Sequence, residues 1–259
     1  MSIQLPRAMV IITADDYGKT VHATDSILKC FAHQRITSAS AMVFMEDSER
    51  AAILASQTKL EVGLHLNFTL LFNAGSVSPQ IMSYQKKIVS YLTGNKLAQV
   101  IYNPLLADSF NYLFLSQQEE FIRLYGRQPA FYNGHHHMHL CANMLVGKIL
   151  PEGECVRRTF TFDKGEKNIF NRFYRYILDS FIRKRFSSTD SFFSILPLQN
   201  QKRLQDILNL STFSDVEIEV HPENLEEIEF LLSDHFNQLI TSIYSGNFQQ
   251  IKKGENAPL

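Results

Sequence analysis

Four of the chain's nine histidines fall within five residues, at His135-His136-His137-Met138-His139. Desolvating several imidazoles among apolar neighbours is costly unless something binds them, and neutral imidazole is the commonest protein ligand for transition metals. The run therefore implies partner ligands elsewhere in the chain. The candidates are the adjacent Asp15-Asp16, His65 within Gly63-Leu64-His65-Leu66-Asn67, and His221, which precedes Pro222. Adjacent aspartate side chains diverge, so one can bind a cation while the other faces a water or a substrate. Without a cation, two carboxylates this close resist joint ionisation. An aspartate ahead of a helix also makes a good N-cap, and a lone strand histidine is more often a hydrogen-bonded core residue. The small Gly63 and the polar Asn67, on the same strand face as His65, favour a pocket-facing position for it. Period-two alternation predicts His135, His137 and His139 on one face and His136 on the other. One or two of the four then serve as ligands, and the rest orient neighbours or touch substrate. One aspartate with two histidines leaves coordination positions open, the mark of a catalytic metal rather than a structural one. Adding a second carboxylate as base and a separate histidine as acid completes a set of groups for amide or ester hydrolysis. No GxSxG motif offers a serine nucleophile.

The elements that must position these groups alternate between short apolar runs and longer amphipathic stretches, as in βα units around a parallel sheet. Strands are predicted at Met9–Thr13, ended by an acidic turn at Asp15–Gly18, and at Ser38–Phe44, Glu61–Phe68, Ala130–His137, Val156–Phe162, Ser191–Leu196 and Val216–Val220. Helices are predicted near Val21–His33, Ser48–Thr58, Leu115–Gly126, Asn143–Leu150 and Lys167–Phe186, with further helical segments after the last two strands. Residues 73–114 read as the least regular stretch, with one helix near Tyr84–Leu92. About seven strands suit a complete or slightly irregular barrel, with the chemistry at the C-terminal strand ends. Asp15-Asp16, His65, His135 and His221 all fall at such ends, so the pattern predicts that they converge.

Bulk properties exclude several classes. The 259 residues are 45% hydrophobic and 20% charged, ordinary for a globular protein with a full core. Lys+Arg 25 against Asp+Glu 26 leaves a net charge of −1, which gives no footprint for nucleic acid or an anionic membrane. Cys30, Cys141 and Cys155 are odd in number and widely spaced, and read as reduced thiols. The first apolar run, Met9 to Ile12, is too short for a membrane span or a signal core, so a cytoplasmic location is expected.

With these residues in hand, the chain resembles the YdjC-like carbohydrate deacetylase family. Thr13-Ala14-Asp15-Asp16-Tyr17-Gly18 is similar to the family's NADDFG, and Ile36-Thr37-Ser38-Ala39-Ser40 to its VTSTS. Gly63-Leu64-His65-Leu66-Asn67 matches GLHLN, Gly134-His135-His136-His137-Met138-His139 matches DSHHHVH or DGHQHVH, and His221-Pro222 matches CHP. The pieces occur in the family's order and run from near residue 10 to near residue 222. The resemblance implies an α/β fold, an irregular TIM-like (β/α) barrel forming a single domain over residues 1–259, with a lid or insertion at about 73–112. It implies removal of an acetyl group from an N-acetylated sugar, oligosaccharide or glycolipid with one divalent cation, Mg2+ or Zn2+. By matched position the metal ligands would be Asp16, His65 and His135, with Asp15 as general base and His221 as the acid for the departing amine. Arg157, His137, Asn133 and Asn67 would support the site or meet substrate. The resemblance also allows a homodimer, and nothing in the sequence suggests a nucleic-acid partner or a membrane span.

Two departures stand out. Asn133 occupies a position where the family usually has Asp, and Glu223 follows His221-Pro222 where Gly is common. Asn133 removes a negative charge near His135 and bears on metal affinity, the local pKa balance and catalysis; Glu223, with the weakly matching stretch at about 73–112, bears on substrate identity more than on reaction type. Two rival readings share the same residue types: a metal-dependent phosphoesterase on a barrel, and a catalytically impaired metal-binding homologue. A phosphoesterase would normally need ligands for two ions and more basic residues at the strand ends.

Overall fold

The computed structural model describes residues 8–95, 97–162 and 169–255. Strands and helices alternate along them: β1 (Val10–Tyr17), α1 (Val21–Ala32), β2 (Ser38–Ala41), α2 (Ser48–Ser56), β3 (Glu61–Leu66), α3 (Pro79–Gly94), α4 (Ala107–Tyr125), β4 (Tyr132–Gly134) and α5 (Ala142–Val146). Then follow α6 (Ile169–Arg185), β5 (Ser191–Ser194), α7 (Gln201–Leu210), β6 (Val216–Val220), α8 (Leu225–Leu232), α9 (Asp234–Thr241) and α10 (Phe248–Glu255). Two 3-10 turns intervene, Pro104–Leu106 before α4 and His135–Leu140 after β4.

The strands form one sheet in the order β4-β3-β2-β1-β6-β5. Val10 to Ala14 lie opposite Val216 to Val220 in parallel, and β3–β4 and β5–β6 are parallel as well. Thr37 N–H donates to the Ile12 carbonyl and Met42 N–H to the Tyr17 carbonyl, so the β1 and β2 segments advance in the same sense. Every residue of β1, β2, β3 and β6 is buried. That is the expected state of parallel strands covered on both faces, although polar residues such as Ser38, Ser40, Glu217 and Glu219 are buried in them beside the apolar ones.

The chain divides into two compact units, one of residues 1–14, 26–39 and 153–259, the other of residues 15–25 and 40–152. The first has a core that includes Ile11, Phe192, Ile218, Phe236 and Phe248; the second centres on Leu64, Phe68, Phe110, Phe121 and Phe131.

The expected α/β class with a parallel sheet holds, but the described residues contain six strands rather than about seven, and β4 and β5 end the order. The missing strand is Val156–Phe162. Its ends do pair, through Val156 N–H to the Ser187 carbonyl and Thr161 N–H to the Phe192 carbonyl. Between them the ladder is captured by side chains: Thr159 N–H donates to Asp179 Oδ1 at 3.3 Å, and Phe192 N–H donates to Thr161 Oγ1 at 3.1 Å. The alternation of apolar runs and helices drew the expectation of a strand, and side-chain acceptors take hydrogen bonds that a ladder would have used.

β1 runs through the acidic pair to Tyr17 instead of ending before it. Residues 73–114 are largely helical rather than irregular. α3 starts with Pro79 behind a Ser78 cap whose side chain accepts from Ile81 N–H, and α4 starts at Ala107 rather than near Leu115. Asn103 caps the 3-10 turn that feeds α4, and Gly126, with φ 65°, ends it in the left-handed conformation that suits a C-terminal glycine. The predicted helix Lys167–Phe186 appears as α6, with Lys167 outside the described residues.

Candidate functional site

β1, β2, β3 and β4 deliver Asp15, Asp16, Ser40, His65 and Asn133 at or near their C-terminal ends, and His135 follows β4 directly. All six belong to the unit formed by residues 15–25 and 40–152. Asp16 takes a left-handed backbone with φ 69°, a conformation that costs a non-glycine residue about 1 kcal/mol or more and that Asp tolerates better than most. The bend re-aims the side chain out of strict strand alternation, so both members of an adjacent pair can serve one site.

Asp16 Oδ1 is the hub. It lies 3.2 Å from His65 Nε2 and 3.1 Å from His135 Nδ1, while Asp16 Oδ2 accepts from Lys19 Nζ at 3.0 Å. Donor atoms of Asp16, His65 and His135 all lie within 4.8 Å of one another. Burial alone would raise the Asp16 pKa, but the two histidines override it and hold the carboxyl far below the usual carboxylate range.

Asn133 orients the cluster from behind. Its Nδ2 donates to Asp15 Oδ1 at 3.1 Å, and its Oδ1 lies 2.8 Å from His65 Nδ1. An amide that donates to a carboxylate must present its oxygen to the imidazole, so the network assigns the hydrogen of His65 to Nδ1. Ser40 reinforces this, with Oγ donating to Asp15 Oδ1 at 2.7 Å and lying 3.2 Å from His65 Nδ1. The Nε2 lone pair of His65 is then aimed at the carboxylate of Asp16. Two acceptors at that distance need a proton or a cation between them. Burial pulls the His65 pKa down, but the charge of Asp15 and the contact with Asp16 outweigh it and raise it.

The donor set fits a divalent cation. Two imidazole nitrogens and a carboxylate oxygen are a common catalytic ligand set, and ligands about 2.1 Å from one ion stand roughly 3.0–3.4 Å apart. The hydrogen bond from a ligand imidazole to a second-layer acceptor is the usual way a metal-binding tautomer is held.

The histidine run departs from the expected alternation. β4 ends at Gly134, and His135–Leu140 forms a 3-10 turn in which His136 and His137 have φ 53° and 58°. No period-two rule applies after Gly134. A Cβ on Gly134 would stand 3.0 Å from the backbone nitrogen of His139, so a larger residue there would crowd the tight return. His139 is fully buried, His137 is half-buried, and the exposed His136 has Nδ1 3.1 Å from Thr69 Oγ1.

The cues that placed His65 have other causes. Gly63 is small because a Cβ would stand 2.6–2.7 Å from Phe131. Asn67 accepts from Thr69 and Leu70 N–H and donates to the Leu70 carbonyl at 2.7 Å, shaping the loop after β3. His65 nevertheless faces the cluster.

Two predicted residues lie in the other unit. Arg157 is fully buried, with Nε donating to Glu217 Oε1 at 2.8 Å, Nη1 to Glu219 Oε2 at 3.2 Å, and its guanidinium 4.7 Å over the Phe192 ring. His221 follows β6, and its backbone N–H donates to Glu227 Oε2 at 2.7 Å. Sequence reasoning assigned no role to Ser40 or Lys19. Ser40 had a signal, since it closes the Ile36–Ser40 motif on a predicted strand; Lys19 had only its position three residues after Asp16.

Residues 9–242 match the family model for "YdjC-like protein". A chitooligosaccharide deacetylase from Proteus mirabilis (strain HI4320) is 30% identical over 133 residues, 51% of this chain and 50% of that protein. A carbohydrate deacetylase from Mus musculus is 28% identical over 148 residues, 52% of this chain and 44% of that protein. The matches thus span about half the length of these curated relatives. The crystal structure of a candidate cellobiose-phosphate cleavage protein from Enterococcus faecalis V583 has the same fold, with a TM-score of 0.66 at 17% identity over 95% of this chain and 99% of that one.

Proposed function

The chain belongs to the YdjC-like family, and from that premise we propose that it is a metal-dependent carbohydrate N-deacetylase, read as one domain over residues 1–259 with a lid at about 73–112. The observation that carries this reading is the convergence of Asp16, His65 and His135 with Asp15 held beside them through Ser40 and Asn133. The names of the P. mirabilis and M. musculus relatives support an N-acetylated sugar as the substrate class.

In this reading Asp16, His65 and His135 hold one divalent cation, Mg2+ or Zn2+. Such a cation supplies Lewis acidity, polarising a carbonyl and acidifying water. Asp15 is the base. Ser40 and Asn133 hold its Oδ1, and we assign its carboxylate to the proton of the attacking water. The water oxygen bonds to the acetamide carbon, the C–N bond then breaks, and the departing nitrogen takes a proton from His221. Acetate and a free amino sugar result. Lys19 secures the far oxygen of Asp16 and keeps its other oxygen facing the imidazoles.

The test is acetate release from N-acetylglucosamine oligomers and related acetamido sugars. Chelator should abolish it and a divalent ion should restore it. Asp15→Asn should keep the cation and lose turnover by about 10²–10⁴-fold, whereas His135→Ala should lose both. Full activity in Asp15→Asn would remove Asp15 as the base. Two bound ions with hydrolysis of a phosphate ester would replace the reading with a phosphoesterase.

A further inference from the structure

Helix α6 presents an unusual outer face. Phe173, Tyr176 and Ile177 are 64%, 70% and 50% exposed, and their i, i+3, i+4 spacing puts them on one stripe. Arg172 sits beside the stripe, and Arg183 and Lys184 continue it two turns on; all three are exposed. α6 carries five basic residues and a single acid, Asp179. That acid is turned inward, where Oδ2 accepts from Arg158 at 2.6 Å and Oδ1 from the Thr159 hydroxyl at 2.9 Å. Ile182, fully buried, anchors the same inner face. The outward side of α6 is therefore apolar and cationic with no compensating acid of its own, although the whole chain has a net charge of −1.

We propose that the outer face of α6 docks on an anionic lipid surface. A helix of this length lies flat over roughly 25 Å, with aromatic and aliphatic side chains able to enter the headgroup boundary and basic ones able to meet lipid phosphates. A second copy of the chain fits less well, because a two-fold contact would press the same three cations together. Three apolar side chains also fall short of the roughly 800 Å² per partner that a stable protein interface buries. Charge and shallow apolar insertion together need no such area. This docking is peripheral: among the described residues no helix is long and apolar enough to cross a membrane.

Co-sedimentation with vesicles tests the proposal, using phosphatidylcholine alone and phosphatidylcholine mixed with phosphatidylglycerol. The unmodified chain should pellet with the mixed vesicles, not with the neutral ones, and should be released as NaCl rises. Arg172→Gln, Arg183→Gln and Lys184→Gln combined should weaken binding about a hundredfold, at roughly fivefold per basic residue. Phe173→Ser, Tyr176→Ser and Ile177→Ser combined should weaken it as well, with the melting temperature of each variant confirming the fold. Failure of the unmodified chain to pellet with anionic vesicles, or equal binding by either variant, overturns the proposal. So does a light-scattering mass that halves in the serine variant, which would identify the occupant as a second copy.

Discussion

At the scale of the residue, Asn133 joins the two halves of the candidate site. One amide accepts from His65 Nδ1 and donates to Asp15 Oδ1, so it sets an imidazole tautomer and a carboxylate rotamer at once. Asp at this position would exchange the donation to Asp15 for a contact between two carboxylates. Asn here trades negative charge near Asp16 and His65 for a fixed orientation of Asp15. Asn133→Asp should therefore bind a divalent cation more tightly, while Asn133→Ala, which orients neither partner, should bind it about 10–100-fold more weakly. Titration calorimetry on the three proteins distinguishes these outcomes. Equal affinities would mean that the amide does not act through His65.

At the scale of the element, strand ends and their flanking loops decide what the strands can present. The loop before β6 is an example: Asp215 Oδ1 accepts from Met9 N–H at 3.1 Å, tying the start of β1 to the start of β6. Burial raises the Asp215 pKa above 3.8; the Met9 hydrogen bond opposes the shift and the nearby Asp190 adds to it. A carboxyl with a raised folded-state pKa contributes its stability below the unfolded value, and that contribution is lost as pH rises through the folded value. At neutral pH the ionised Asp215 is thus a cost. Asp215→Asn keeps an acceptor for Met9 and removes the charge, so it should raise Tm by about 1–2 °C at pH 7. Below about pH 3 the gain should vanish. Thermal melts at both pH values check it, and an identical gain at both would exclude charge as the cause.

At the scale of the whole molecule, a near-neutral total conceals charges that are sorted, some into the core and some onto one helix. Arg157, Glu217 and Glu219 are buried together, so removing the cation takes an ion-pair partner from both buried carboxylates. Arg157→Met should destabilise the protein by about 3–5 kcal/mol, lowering Tm by roughly 10 °C. Adding Glu217→Leu and Glu219→Leu should recover most of that loss, as denaturant melts would show. An unchanged Tm in Arg157→Met would mean that the guanidinium does not neutralise the pair. Much was legible in the chain itself: the βα alternation, the parallel sheet, and the residue types at Asp15, Asp16, His65 and His135. These follow from composition, period and motif, which are local properties. The tertiary structure decided how the site is assembled. It bent Asp16 into a left-handed backbone, took the histidine run out of the strand at Gly134, and brought Asn133 between residues 118 and 68 positions away. It also gave the ladder hydrogen bonds of the expected seventh strand to Asp179 and Thr161. Hydrogen bonds between groups distant in sequence leave no periodic trace in the chain, so only the folded arrangement could reveal which donors met which acceptors.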